Sequence, residues 1–462
     1  METENIELAL SVYKRIIILV GRGLNMKRLV ALIMGVVVAA FTPCLFGAPQ
    51  LGDGNDLQQL EDYLRYASLH NAELEAKFYQ WKAAVEEVPQ AKSLPDPKFT
   101  YGYFFEEVET RVGPQRQKFE IMQNFPWFGV IEARSDQAAA KAKAAYKKYE
   151  AKKLELFEQV KYAFYEYAYL ARAIEITRQN LELVKNFEEI ARNRYASSIA
   201  SHPDIIRAQI ELAVLEDRLQ SLQELKPAIV TKLNSILNRN ASSDLPWPKI
   251  PQYPQVDFNF SQLYEMVINN NPDLKSIDYE IEAARNAEKL AKKKSYPSFG
   301  IGVSYIDTAH ARASGVSDSG KDPVMGMVSL TLPIWADNYK AAQRQASARL
   351  GQKTSEKVQM QNTLAARAQQ FLYEFEDAGR KIELYRDVIV PKAREMLEAS
   401  EVAYQAGTID FLSLIDAQRT LLQYELYYER SLAENAQKLA KIEMLAGMEL
   451  PAAENELQEE EK

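Results

Sequence analysis

The stretch Tyr404-Gln405-Ala406-Gly407-Thr408-Ile409-Asp410-Phe411 decides how this chain is organised. Long segments rich in helix-forming residues precede and follow it. Gly407 can take a positive φ angle without steric cost, which is how many helices end. Thr408 or Asp410 can cap the helix that follows. The stretch therefore predicts the tight turn of a long helical hairpin, with helices over residues 339–406 and 412–446.

The turn has a twin earlier in the chain. Three pairs of like residues recur at a constant offset of 209 positions: Tyr195 and Tyr404, Ala208 and Ala417, Gln209 and Gln418. Nearer the start of each copy, Asn71 and Asn271 recur at an offset of 200, as do Phe99 and Phe299. The pattern predicts two copies of one unit, over residues 49–239 and 257–450, joined by a proline-rich linker over 240–256.

Each copy also contains a predicted strand hairpin. Phe99, Tyr101, Tyr103 and Phe105 alternate with smaller or polar residues, and a second strand is predicted over 118–124, after a turn over 106–116. The second copy repeats this pattern over 299–305 and 324–332, around a longer loop at 306–322. Isolated hairpins are marginally stable, and open sheet edges are not tolerated in a bilayer. If these strands are in a membrane, the chain must therefore oligomerise.

Two helical segments precede the first tip. Residues 57–91 are predicted to form one helix that ends before Pro95. Residues 130–195 contain no proline or glycine. At ~1.5 Å per residue, that helix would extend on the order of 100 Å, so it must lie along equally long neighbours.

The order helix, strand hairpin, long helix, tip and long helix, occurring twice, resembles the TolC family of outer-membrane efflux ducts. The resemblance extends over residues 51–450 and includes the tip pattern Tyr-x-x-Gly followed by Leu-x-x-Ala-Gln. It implies a mainly α fold with a small β part. It also implies a homotrimer in which four strands per protomer form one shared transmembrane β-barrel, continued by a periplasmic α-helical barrel. Large apolar residues on one strand face and small ones on the other fit lipid outside and a lumen inside.

The ends of the chain carry processing signals. Met26-Lys27-Arg28 precedes the apolar run 29–41, which predicts a secretory signal peptide within residues 1–48, with Met26 as a candidate start. Cys44 is the only cysteine, so no disulfide can form within the chain; whether it is lipidated is left open. Residues 451–462 are acidic and predicted to be disordered.

Composition argues against several functions. The net charge is −8, whereas nucleic-acid binders usually carry a basic face. The three histidines, at 70, 202 and 310, do not form a metal-ligand motif, and no nucleophile or phosphate-binding motif is found, so neither an enzyme nor a cofactor is predicted. Met122, Met325 and Met327 lie on predicted strands. A role with soft metals is one interpretation, and packing filler or lipid-facing side chains is the favoured one.

The resemblance also assigns residues to a periplasmic gate. Tyr404 and Asp204 match the tyrosine and aspartate that link neighbouring helical hairpins in the family, and Asp416 matches one carboxylate of the constriction ring. Ser413 replaces the other ring carboxylate, and Ile409 replaces a linking arginine. The alternative for Asp416 is an ordinary exposed helix carboxylate. The residues implied to contact the periplasmic adaptor are Ser197, Ser198, Ile199, Ala406, Gly407 and Thr408, with Ser198 in place of the usual glycine.

The predicted function is therefore a passive exit duct in the outer membrane, extending into the periplasm. Its implied partners are outer-membrane lipid, a periplasmic adaptor of the membrane fusion type and an inner-membrane transporter of RND, ABC or MFS type. The alternative is a secreted coiled-coil scaffold without a pore. Drug, metal and protein cargo are not distinguished by the sequence.

Overall fold

The computed structural model of the protein describes residues 57–197, 201–249, 251, 253 and 256–450. The predicted signal peptide with Cys44, the acidic tail and the tip residues Ser198 and Ile199 lie outside the described residues. Among the helices of the described ranges, none is both long and apolar enough to cross a membrane.

The two halves contain the same kinds of elements in the same order. The first half comprises α1 (Leu60–His70), α2 (Ala72–Lys92), β1 (Lys98–Thr110), β2 (Gly113–Phe125), α3 (Val130–Ala196) and α4 (His202–Ile236). The second half comprises α5 (Phe260–Asn270), α6 (Pro272–Lys293), β3 (Ser298–Thr308), β4 (Val324–Thr331), α7 (Ala336–Leu384), α8 (Val390–Ala406) and α9 (Phe411–Ala446). The long helix predicted over 130–195 is confirmed as one unbroken element.

The prediction of a single helix over residues 57–91 was wrong, because the chain breaks at Asn71. The Asn71 side chain accepts a hydrogen bond from Leu74 N at 2.9 Å, which caps α2. Its amide nitrogen donates to the carbonyl of Ile236 at 2.8 Å. One side chain thus starts α2 and joins it to the last turn of α4.

The second half repeats this junction with the matching residue. Asn271 accepts from Leu274 N at 3.0 Å and donates to the carbonyl of Leu445 at 2.9 Å, so it joins α6 to the end of α9. Residues with left-handed backbone follow α4 and α9: Asn238 at φ 55° and Gly447 at φ 77°. A Cβ at Gly447 would stand 2.6 Å from the carbonyl oxygen of Asn270, which explains the glycine there.

The four strands form one antiparallel sheet in the order β1-β2-β3-β4, with β2 of the first half paired to β3 of the second. The predicted turn over 106–116 was too long, because β1 continues to Thr110 and β2 starts at Gly113. The charged residues within 106–109 favoured the prediction of a turn, yet they lie on strand β1. Strands β1 and β4 are the two edges, since each pairs with a single neighbour among the described strands.

The two faces of the sheet differ sharply in chemistry. Pairing register and side-chain alternation place a mostly apolar set on one face, which we call the apolar face: Phe99, Tyr101, Tyr103, Phe119, Ile121, Ile301, Val303, Tyr305, Val328 and Leu330. The opposite, polar face carries Thr100, Gly102, Lys118, Glu120, Asn124, Gly300, Gly302, Ser304 and Ser329, with three methionines among them. Many of the apolar-face side chains are exposed in the single chain, including Phe99 at 67% and Val328 at 82%.

The long helices pack around α3, which contacts α2, α4, α6 and α9. Buried side chains such as Phe164, Tyr167 and Phe187 run along its length. The second long helix, predicted unbroken over 339–406, is interrupted by a π-helical turn at Tyr385–Ile389, where Val390 N bonds to the carbonyl of Tyr385. Pro391 follows directly, and it has no N–H to continue regular α-helical bonding.

Candidate functional site: the helical tips

The second tip closes on a left-handed glycine, as predicted. Gly407 has φ 78°, its N–H bonds to Tyr404 O at 3.0 Å, and Thr408 N bonds to Ala403 O at 2.9 Å. Asp410 caps α9, because its carboxylate accepts from Ser413 N at 2.9 Å and from Ser413 Oγ at 2.7 Å. Of the two capping candidates, Asp410 is the one used; the Thr408 hydroxyl instead donates to Ala403 O.

The described residues on either side of the first tip make other contacts. Helix α3 ends where Ser197 N bonds to Asn193 O at 3.2 Å. Helix α4 starts after Ser201, whose backbone N–H donates to the Asp204 carboxylate at 3.3 Å. A carboxylate at this position is also stabilised by the positive end of the helix dipole. Asp204 therefore has a local structural role, whatever it does in an assembly.

Tyr404 is buried where the two tips meet. Its ring packs edge-on against Phe411 with centroids 5.3 Å apart, and the residue is 3% exposed. The guanidinium of Arg194, from the end of α3, lies 4.8 Å from the ring centroid. Burial raises the pKa of Tyr404, the Asp204 charge adds to the rise, and the Arg194 charge opposes it. The phenol thus stays neutral at physiological pH.

The predicted bond between Tyr404 and Asp204 is not present in the single chain. Among the described residues, Tyr404 Oη has no hydrogen-bond partner. The Asp204 carboxylate instead bonds to Ser201 N and lies 3.8 Å from the Arg207 guanidinium. The two residues are close enough for the charge to influence the phenol, so the latch stays a prediction for the assembled protein.

Arg194 is the tip residue that the sequence analysis missed. Its Nη1 donates to the carbonyl of Gln405 at 2.5 Å and also to that of Tyr404. These are end carbonyls of α8, where a cation is favoured by the helix dipole. The signal available in the sequence was a basic residue in the last turn of α3, but nothing in it indicated a partner in the other repeat.

The remaining gate residues lie on or near α9. Asp416 and Ser413 are exposed, whereas Ile409 packs against the apolar cluster of the tip. Arg419 lies one turn beyond Asp416. Its Nε donates a hydrogen bond to the carboxylate of Glu211 on α4 at 2.8 Å. This hydrogen bond raises the pKa of Arg419, and Asp416 adds to the rise. Glu211 is 2% exposed, so the pair ties α4 to α9 at the level of Asp416.

Polar contacts also join α9 to α3. Gln418 Nε2 donates to Asn180 Oδ1 at 3.0 Å, and both residues are buried. Its twin Gln209 makes only a longer contact, 3.4 Å, to Glu188. Between α4 and α9 lies an open groove of about 740 Å³, lined by charged residues including Glu211, Arg419 and Arg430. Within the described residues, no group of three or more His, Cys, Asp or Glu is placed to hold a metal ion.

Comparison with known proteins identifies the family. The model of the family described as outer membrane efflux protein matches residues 66–239 and 263–447, one segment in each half. This chain belongs to the outer membrane efflux protein family. The match confirms the family predicted from the duplicated tips.

Individual relatives of this efflux family are distant. The cobalt-zinc-cadmium resistance protein CzcC of Cupriavidus metallidurans is 20% identical over 395 residues, which are 84% of this chain and 90% of that protein. Toxin and drug export protein A of Aggregatibacter actinomycetemcomitans is 27% identical over 180 residues, 38% of this chain. That alignment spans 39% of the relative's length.

A solved outer-membrane protein shares the fold. The structure of VceC from Vibrio cholerae superimposes with a TM-score of 0.68 at 17% identity, covering 84% of this chain and 96% of that chain. The mainly helical architecture with one small sheet is therefore a fold that this chain shares with VceC.

Proposed function

We propose that this protein is the outer-membrane exit duct of an export system, and that it works as a homotrimer. One observation carries the proposal: a single sheet with an apolar face, a polar face and two free edges is attached to helical hairpins too long for a compact domain. Such a sheet has the two-sided chemistry of a transmembrane barrel wall. It is too small to close by itself.

Closure of the sheet into a ring by three chains would pair the edge strands. An edge strand carries unpaired N–H and C=O groups, which are costly in a bilayer. If β4 of one protomer pairs with β1 of the next, three sheets of four strands form a ring of twelve. The exposed apolar face then faces lipid, and the polar face lines the lumen.

The helices and tips support a gated duct below the barrel. Helix α3 has 67 residues and extends roughly 100 Å, which is much longer than a bilayer is thick. The tips at its far end carry Asp416, Tyr404 and Asp204, which we assign to the constriction. We assign the surface around Ser197 and Gly407 to the periplasmic adaptor, through which an inner-membrane transporter drives export. In this proposal the transporter supplies the energy, and the duct conducts passively.

Two measurements test this function. Cells that express the protein are fractionated, and the outer membranes are washed with high salt. The purified protein is then inserted into planar bilayers. Retention in the washed outer membrane together with discrete conductance steps is expected. Release by the wash, or intact protein without conductance under any condition, would favour the coiled-coil scaffold and contradict the duct.

A further inference from the structure

Three methionines lie together on the polar face of the sheet. The register places Met122 of β2 and Met327 of β4 on either side of Gly302, which pairs with both. Met325, two residues before Met327, shares that face and pairs with Ser304. All three therefore lie on the face opposite the apolar face, which under the proposed function is the face away from lipid.

The contacts of Met122 bring its sulfur toward β4. A Cβ at Gly302 would stand 3.3 Å from Met122 Cε, so the thioether crosses the space that the glycine leaves open. Its Sδ lies 3.6 Å from the hydroxyl oxygen of Ser329, the residue two beyond Met327 on the same face. No side chain at position 302 separates Met122 from the two methionines of β4.

Ser304 adds an oxygen to this group. The residue is 1% exposed, and its Oγ has no hydrogen-bond partner among the described residues. A buried hydroxyl without a partner is uncommon and requires an explanation. It is paired across the sheet with Glu120 on one side and Met325 on the other, so it borders the methionines.

The charges nearby do not attract cations. The Glu120 carboxylate is bound to Lys118 at 2.8 Å, which neutralises both. Lys98 pairs with Met122 from the β1 side and adds a positive charge. A hard divalent cation, which prefers carboxylate oxygens, therefore gains nothing here. A soft ion bound through sulfur depends far less on local charge.

We propose that Met122, Met325 and Met327 form a binding site for a soft monovalent cation, Cu(I) or Ag(I). Neutral thioethers are the ligands that select such ions, and the unpartnered Ser304 hydroxyl borders them. The site belongs to the polar face whether or not that face lines a pore. Its position inside the lumen, as a contact for ions in transit, rests on the proposed function.

The test uses the full chain in detergent and Ag(I) as the probe. The triple variant Met122→Leu, Met325→Leu, Met327→Leu keeps apolar volume but removes all three sulfur atoms. A matched control replaces three methionines of the helical part and its end: Met360→Leu, Met396→Leu and Met448→Leu. Cys44 and the other methionines are kept in every protein. Bound silver per chain is measured by mass spectrometry after gel filtration.

We expect the wild type and the control to bind one silver ion per chain more than the triple variant, or at least tenfold more tightly. Zn(II) should not distinguish the three proteins. Equal silver binding by wild type and triple variant would overturn the site. If the wild type and the triple variant also bind an apolar dye equally, the methionines serve as an apolar contact surface, because leucine keeps that surface apolar.

Failure of this inference is separable from failure of the proposed function. Silver binding is measured on protein in detergent, without any need for a channel. If the protein conducts but the wild type and the triple variant bind silver equally, the silver site is contradicted and the duct is not. If they differ in silver binding but the protein does not conduct, the duct is contradicted and the silver site is not. Circular dichroism and the elution volume show whether the variants have kept their fold.

Discussion

The guanidinium of Arg194 lies 4.8 Å from the centre of the Tyr404 ring and donates hydrogen bonds to the carbonyls of Tyr404 and Gln405. Arg194 lies in the last turn of the long helix of the first repeat, and Tyr404 lies in the last turn of α8 in the second. One side chain therefore fastens the two tips together within a protomer. It also lies against Gly407, where a Cβ would stand 3.2 Å from Nη2.

Arg194→Ala should loosen the gate. A cation–π contact stabilises by about 0.5–2 kcal/mol, and a hydrogen bond from a charged donor by about 1.5–3 kcal/mol. The open population can rise about tenfold for each 1.4 kcal/mol lost. We expect a higher mean conductance in planar bilayers. Arg192→Ala is the matched control, since among the described residues Arg192 pairs with Glu188 of its own helix.

Tyr404→Phe separates this contact from the predicted latch to Asp204. Phenylalanine keeps the ring that Arg194 covers and loses only the hydroxyl, which has no partner in the described part of the chain. If Arg194 holds the tip, the variant should conduct like the wild type. If conductance instead rises in Tyr404→Phe and equally in Asp204→Ala, the phenol–carboxylate latch forms in the assembly.

Asp416 and Glu211 are expected to act together on ion block. Three Asp416 carboxylates at one level would attract divalent cations, while Glu211 binds the nearby Arg419 and offsets its positive charge. Asp416→Ala should weaken divalent-cation block of single-channel current. Glu211→Gln should weaken it too, because Arg419 is then free to neutralise Asp416. Unchanged block in both variants would locate the constriction elsewhere; Glu398→Gln, an exposed carboxylate on α8, is the control.

Asn71 and Asn271 should matter for stability rather than conductance. Each makes one cap bond and one bond to the carbonyl of another helix, and Asn271 is the more buried of the two. Alanine at either position should lower the free energy of unfolding by about 1–3 kcal/mol, with the larger loss at 271. Guanidinium unfolding followed by circular dichroism measures it. Asn362→Ala, at an exposed helix position, should change little; equal effects at all three sites would contradict the junction.

The sequence predicted the elements that depend on local patterns. The absence of proline and glycine predicted α3 to within a residue, and Gly407 ended its helix in the left-handed conformation as expected. The break at Asn71 was missed, although its twin Asn271 precedes Pro272, a residue favoured at helix starts. The matching pair Asn71 and Asn271 therefore carried the signal for this break.

Contacts between the repeats could not be predicted in the same way. Alignment of the two copies pairs Arg194 with Ala403, whereas in the structure Arg194 contacts Tyr404 and Gln405 of the other copy. Internal repetition shows which residues are equivalent, but not which ones meet across a helix interface. The face of the sheet occupied by the methionines likewise depended on register, and a shift of one residue would have reversed it.

The most direct test of the account is whether β4 of one protomer pairs with β1 of the next in a ring of three. Tyr101→Cys on β1 is combined in turn with Val324→Cys, Gly326→Cys and Val328→Cys on β4, which share its apolar face. Paired strands bring Cα atoms to about 4.5–5.5 Å, within disulfide range. After mild oxidation in membranes, the account predicts that at least one pair gives a ladder ending at the covalent trimer, while proteins with only one of the two introduced cysteines give none. Monomers for every pair, or a ladder that continues past three, would contradict it.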